Sequence, residues 1–166
     1  MDKEKRGHVK DIVRRCASFN LRRASRLITR KFDEALRDFG VKATQLSVLM
    51  AIYSEPNQPL SKLAWTLGMD RTSLTRNLKI LHDRGLVLIE ESGDKREHRI
   101  GISLEGERLL KDAFPVWRKV QGDVEEALGG EHWRNLLSGL HEVAHFFCSK
   151  RCVRTHGSEN GESHGR

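Results

Sequence analysis

The chain of 166 residues has three cysteines, three prolines, one tyrosine and no apolar run long enough to span a bilayer. A membrane-spanning helix needs about 20 consecutive apolar residues, so none is expected. The opening MDKEKRGHVKDIVRRC is charged throughout and has no apolar centre, which excludes a secretory signal at that place. Cys16, Cys148 and Cys152 are too few for a disulfide framework in a chain of this length. Reduced thiols in a cytoplasmic protein are the simple expectation. Hydrophobic residues make up 37% and charged residues 32%. That balance allows a core without surplus and fits a helical protein that buries further apolar surface against a second copy.

The positive charge is uneven. Residues 1–40 carry 12 basic and 6 acidic side chains, residues 41–104 carry 9 and 7, and residues 105–166 carry 9 and 10. A basic N-terminal half points to a polyanionic partner, because neutralised phosphates release condensed counterions. A solvated helix surface explains the same charge, so charge alone does not decide.

Apolar positions at three- and four-residue steps (Leu21, Ala24, Ile28, Phe32, Ala35, Phe39) predict one long helix from Val9 to Phe39, with Gly40 as its stop. Asn20, polar within that stripe, is expected to set register or cap. A second helix fits Ala43–Ser54, and Pro56 with Pro59 break the pattern after it. Short helices over Ser61–Leu67 and Arg71–Arg84 follow, parted by Gly68-Met69-Asp70. Leu86–Ile89 and Arg99–Leu104 read as strands, the second with Ile100, Ile102 and Leu104 inward. The segment between them, residues 91–97, makes a charged hairpin tip. Leu110, Ala113, Trp117, Val120, Val124 and Ala127 mark another helix, kinked at Pro115 and ended by Gly129-Gly130. A last helix carries Trp133 to Phe147, and residues 156–166 hold no apolar anchor and are expected to be disordered. Trp65, Trp117 and Trp133 are expected as core or dimer-interface anchors.

The centre carries the chemistry. Ser61 is positioned to cap the first short helix and Asp70 the second. On the second, Leu74, Leu78 and Leu81 form the core side, while Thr72, Arg76 and Lys79 lie opposite and Thr75 flanks them. Short hydroxyls and long cations suit a helix laid in a major groove: arginine pairs bidentately with guanine, threonine meets a thymine methyl, lysine neutralises phosphate. The helix start at Arg71, Thr72 and Ser73 adds backbone donors for a phosphate. Lys95 and Arg96 at the hairpin tip are placed to reach the neighbouring minor groove. The expected fold is therefore mainly α with a small β-hairpin wing: a winged helix-turn-helix flanked by long dimerisation helices. Its parts are a dimerisation helix over 1–40, a DNA-binding domain over 41–104, C-terminal dimerisation helices over 105–155, and a tail over 156–166.

LSKLAWTLGMDRTSLTRNLKILHDRGLV followed by GDKREHRIGISL resembles the core of the MarR family, the multiple-antibiotic-resistance-type transcriptional regulators. The likeness covers most of residues 20–147, and Asp70–Arg76 with Asp94-Lys95-Arg96 are its most diagnostic pieces. It implies a cytoplasmic homodimer whose terminal helices intertwine, and a repressor bound to a pseudo-palindromic operator in double-stranded DNA. It further implies that Arg96 enters the minor groove and Asp94 shapes the wing. A small aromatic effector between dimer helices and winged domain would relieve repression. No cofactor and no catalysis are implied. Two departures stand out. The family's Leu-Thr pair, two residues and a glycine after the wing are here Leu104-Glu105-Gly106, two residues shorter and without the threonine cap. Lys42 stands where a threonine or serine often caps the second helix.

Two other readings compete. His141-Glu142-Val143-Ala144-His145 matches the H-E-x-x-H signature of zinc hydrolases, and Cys148 and Cys152 continue the same side of the helix. No third ligand follows at that family's spacing, so a plain helix edge competes with a metal site at His141, His145 and Cys148. Cys16 lies among Arg14, Arg15, Arg22 and Arg23, which favour a thiolate. Some family members sense oxidants through a thiol in the first helix. Here Cys16 falls two residues short of that place and a single tyrosine remains to hold an oxidised sulfur. A Cys148–Cys152 variant of the same sensing is the further redox candidate.

Overall fold

The computed structural model describes residues 3–91 and 98–155, with side chains over 5–90 and 99–147. The elements are α1 (Lys3–Arg15), α2 (Ala17–Ala35), a short 3-10 turn (Arg37–Phe39), α3 (Ala43–Ser54), α4 (Leu60–Thr66) and α5 (Arg71–Asp83). Strands β1 (Val87–Glu91) and β2 (His98–Ile102) form an antiparallel hairpin in which Val87 pairs with Ile102 and Ile89 with Ile100. Helices α6 (Leu104–Leu128) and α7 (Gly130–Thr155) complete the chain. Among the described residues no helix is long and apolar enough to cross a membrane. The hairpin tip at 92–97 and the tail at 156–166 lie outside the described residues.

Helix α3 is the hub, packed against α2, α4, α5, α6 and β2. Leu46, Val48, Leu49 and Ile52 are fully or almost fully buried there, and Leu74, Leu78 and Leu81 of α5 close over them. Ile100 and Val87 seal the wing's inner face. Leu36 before the 3-10 turn and Leu110 with Ala113 of α6 bring the flanking helices into the same core. By contrast α2 buries no residue fully. Val9, Ile12, Phe19 and Leu27 on α1–α2, and Leu140, Phe146 and Phe147 on α7, are 38–62% exposed.

Several expectations are corrected. The helix foreseen over Val9–Phe39 is two helices, because Cys16 is extended (ψ 111°). Asn20 turns its amide back and donates to the carbonyls of Cys16 (2.9 Å), Arg14 (3.1 Å) and Val13 (3.3 Å), satisfying the end of α1. Ser61 does not cap α4; it is the second helical residue, and extended Pro59 holds the cap position. Leu104 does not face inward from a strand but opens α6, 66% exposed. Gly129 alone ends α6, since Gly130 already belongs to α7. Trp65 is 55% exposed on α4 and is not a core anchor, whereas Trp117 stacks on Phe114 and meets Phe32 of α2.

The junction after the wing is not shortened. Ser103 is the N-cap of α6 and its hydroxyl oxygen accepts the Gly106 N–H at 3.0 Å. Ile102-Ser103 thus takes the place of the Leu-Thr pair, with the glycine three residues on. A lysine at position 42 also costs no cap. Asp33 of α2 accepts the Ala43 N–H at 2.7 Å, and Gln45 accepts the Lys42 N–H at 2.8 Å.

Candidate nucleic-acid interface

The turn between α4 and α5 places α5 on the surface. Gly68 adopts φ 62°, a left-handed conformation that favours glycine, and its N–H closes on the Trp65 carbonyl at 3.0 Å. Asp70 then caps α5. Its carboxylate accepts the Ser73 N–H at 2.8 Å and the Ser73 hydroxyl at 2.7 Å. These bonds, hydroxyl first and backbone second, hold the Asp70 pKa below its ordinary 3.8. A depressed carboxylate stabilises the fold above its unfolded pKa, and that contribution disappears as pH falls through the folded value. Between pH 5 and pH 3 the wild type should therefore lose more thermal stability than Asp70→Asn, which keeps a capping oxygen without titrating; equal losses would contradict the cap.

Leu74, Leu78 and Leu81 anchor one side of α5, leaving Arg71, Thr72, Thr75, Arg76 and Lys79 exposed on the rest. They are not equivalent. The Ser73 hydroxyl is spent on Asp70, and the Thr75 hydroxyl donates to the Arg71 carbonyl at 2.8 Å. Thr75 therefore offers a methyl and acceptor lone pairs. Lys79 holds an exposed ion pair with Asp83 at 2.8 Å, worth little in water and easily exchanged for a phosphate. Ser61, at the start of α4, is exposed as well. Apart from the cap, no acidic side chain sits in the first turn of α5, so its free N–H groups and its cations add in sign.

The base of the wing follows directly. Asn57 N–H donates to the Ile100 carbonyl at 3.2 Å, and Pro59 bridges Arg99, tying the loop before α4 to β2. Asp94, Lys95 and Arg96 lie outside the described residues.

Residues 41–98 match the MarR family model. The M. tuberculosis transcriptional regulator MosR, solved in complex with DNA, is 34% identical with a TM-score of 0.73, over 82% of this chain and 98% of that one. The chain belongs to the MarR family. Its relatives include YwoH of Bacillus subtilis (strain 168), an uncharacterised HTH-type transcriptional regulator, 28% identical over 100 residues, which are 60% of this chain and 73% of YwoH. CouR of Rhodococcus jostii RHA1 shares the fold at 24% identity and a TM-score of 0.72, covering 80% of this chain and 95% of CouR in a structure with a 23-mer DNA duplex. CouR is also solved bound to p-coumaroyl-CoA.

As a MarR-family chain, the protein falls among DNA-binding transcriptional regulators. His141, Glu142 and His145 of the zinc-hydrolase signature lie along α7. His141 and His145 are exposed on α7, and Glu142 accepts a long bond from Ser138 at 3.4 Å. Among the described residues no three metal-ligating side chains converge. Cys16 is half-exposed at the α1–α2 break; the side chains of Cys148 and Cys152 lie outside the described residues. Three supporting residues escaped the sequence reading: Asp33, Ser103 and Arg84. Ser103-x-x-Gly106 is a readable capping signal, whereas Asp33 and Arg84 act on distant backbone that no local pattern announces.

Proposed function

We propose that the protein is a homodimeric repressor that binds a pseudo-palindromic operator and leaves it when a small aromatic effector binds. One observation carries the reading: on a firmly capped α5, Arg71, Thr72 and Arg76 stand exposed opposite the leucines that anchor it. In this reading Arg76 reads a guanine, Thr72 and Thr75 meet bases or phosphates, and Arg71 and Lys79 neutralise phosphates. Ser61 contacts the backbone, and Ser73 with Asp70 holds the helix start. Lys95 and Arg96 enter the minor groove with Asp94 shaping the turn. Residues 41–104 form the DNA-binding part, and residues 1–40 with 105–155 the dimerisation part. The apolar residues left half-exposed on α1, α2 and α7 support the second copy, since burying the remainder of each removes on the order of 1 kcal/mol of unfavourable hydration.

For the effector, a cavity of about 640 Å³ opens between α3 and α6, lined by Met50, Tyr53, Leu104, Leu110 and Phe114 with Glu107, Arg108 and Lys111 around them. Its size and apolar lining suit one small ring compound. It lies between a helix of the winged domain and one of the proposed dimer helices, where a ligand alters their relative position and shifts the population away from the DNA-bound form. We place this action in the cytoplasm and assign the chain no catalytic role.

Selection from a random duplex library tests the proposal. The expected product is an inverted repeat with half-site centres about one helical turn, or 10 base pairs, apart. Recovery of no enriched sequence would contradict it.

A further inference from the structure

We infer that Arg84, seconded by Ser103, sets the angle of α5 against the flanking helices and thereby determines which half-site spacing the dimer accepts. The inference rests on the dimeric DNA-binding reading above.

Arg84 follows the last residue of α5 and reaches across 44 residues of sequence. Its Nη1 donates to the Gly40 carbonyl at 2.6 Å and its Nη2 to the Phe39 carbonyl at 3.2 Å. Those carbonyls belong to the turn that closes the α2 arm, where Gly40 is left-handed. Two bonds from one planar guanidinium fix an angle as well as a distance, which a lysine ammonium does not do. The other side of the same segment is held by Ser103. Its hydroxyl donates to the Gly85 carbonyl at 2.6 Å and its N–H donates to the Leu86 carbonyl at 3.1 Å, while the same residue caps α6. Residues 84–86, immediately behind the recognition helix, are therefore bonded to the end of the α2 arm and to the start of α6.

The lever is sensitive. A helix of 13 residues is about 20 Å long, so a rotation of about 10° at its mount moves the far end by about 3.4 Å. That equals about one base-pair step along the duplex. Loss of one arm of the mount loosens the winged domain, and α5 packed into it, against the flanking helices, so that α5 reaches half-sites one step nearer or farther. Arg84 is thus a positioning residue, acting on bases only through α5.

The test measures affinity of the wild type, Arg84→Met and Arg84→Lys for the selected inverted repeat and for versions with the central spacer shortened or lengthened by one and two base pairs. Thermal midpoints are recorded beside the affinities. The expected result is a flattened spacing profile: the wild-type preference shrinks by about three- to tenfold in Arg84→Met, mainly through better binding to the wrong spacers. Arg84→Lys should not restore it. Ser103→Ala should flatten the profile in the same sense and serves if Arg84→Met does not fold. A uniform loss over all spacers, tracking a lower thermal midpoint or a smaller salt slope, marks a merely structural or phosphate-binding arginine and overturns the inference. A wild type that binds every spacer and random duplex alike overturns the dimeric reading itself, and this inference with it.

Discussion

Replacing Gly106 by alanine is expected to unseat α6 from the winged domain. A Cβ at this buried position would lie 2.2 Å from the Leu86 carbonyl oxygen and 2.7 Å from Ile102 Cγ1. The closer obstacle is backbone, and it is held from both sides. Leu86 N–H donates to Leu81 at 2.9 Å, while the Leu86 carbonyl accepts from Ser103 at 3.1 Å. Neither strand nor helix yields without breaking the cap that starts α6. Overpacking of this kind costs about 1–3 kcal/mol, and a rigid backbone contact belongs at the upper end. For a chain of this size the melting midpoint should fall by about 6–12 °C. Gly122→Ala is the control, since nothing lies within 4 Å of a Cβ there and the exchange favours the helix. Equal midpoints for the two variants would mean that α6 does not seat on Leu86 as described.

Arg76→Ala is expected to weaken operator binding by about thirtyfold to ten-thousandfold, since both protomers lose the contact, and to relax preference at one base pair of each half-site. The range corresponds to loss of one bidentate guanine contact in each half-site, about 1–3 kcal/mol apiece. The fold should be untouched, because Arg76 is exposed and has no ion-pair partner among the described residues. Lys79→Ala makes the comparison sharp. Lys79 already holds Asp83, so its loss should cost less, apply evenly across sequences and lower the salt slope. If Arg76→Ala lost affinity evenly over specific and random duplexes, Arg76 would be a phosphate contact and the docking of α5 would need revision.

Helix α5 was legible in the sequence because every determinant is local. The leucines at 74, 78 and 81 set its buried side, and Asp70 stands three residues before the N–H it accepts. Helix α3 was legible to the residue, since Ala43–Ser54 is a dense apolar run ended by Pro56. The break at Cys16 was not, because neither proline nor glycine marks it; the Asn20 side chain makes it by gathering three carbonyls. Caps supplied from afar were equally hidden. Asp33 serves an N–H ten residues away, and Arg84 serves carbonyls 44 and 45 residues away. Periodicity reports which face of a helix is buried, and it is silent about side chains that reach across a turn to another element. The junction at Ser103 belongs between these cases: the S-x-x-G pattern is present, with serine standing where the family's threonine is expected.

Competition titration of the selected inverted repeat tests the central claim most directly. Labelled duplex is titrated with the full chain and followed by anisotropy at two salt concentrations, with excess random duplex as competitor. Specific sites are typically bound about 10³-fold or more tighter than random DNA. The expected result is binding that survives the competitor at both salts and saturates at two chains per duplex. Binding abolished by random duplex in proportion to its concentration, or saturation at one chain, would contradict a dimeric sequence-specific regulator.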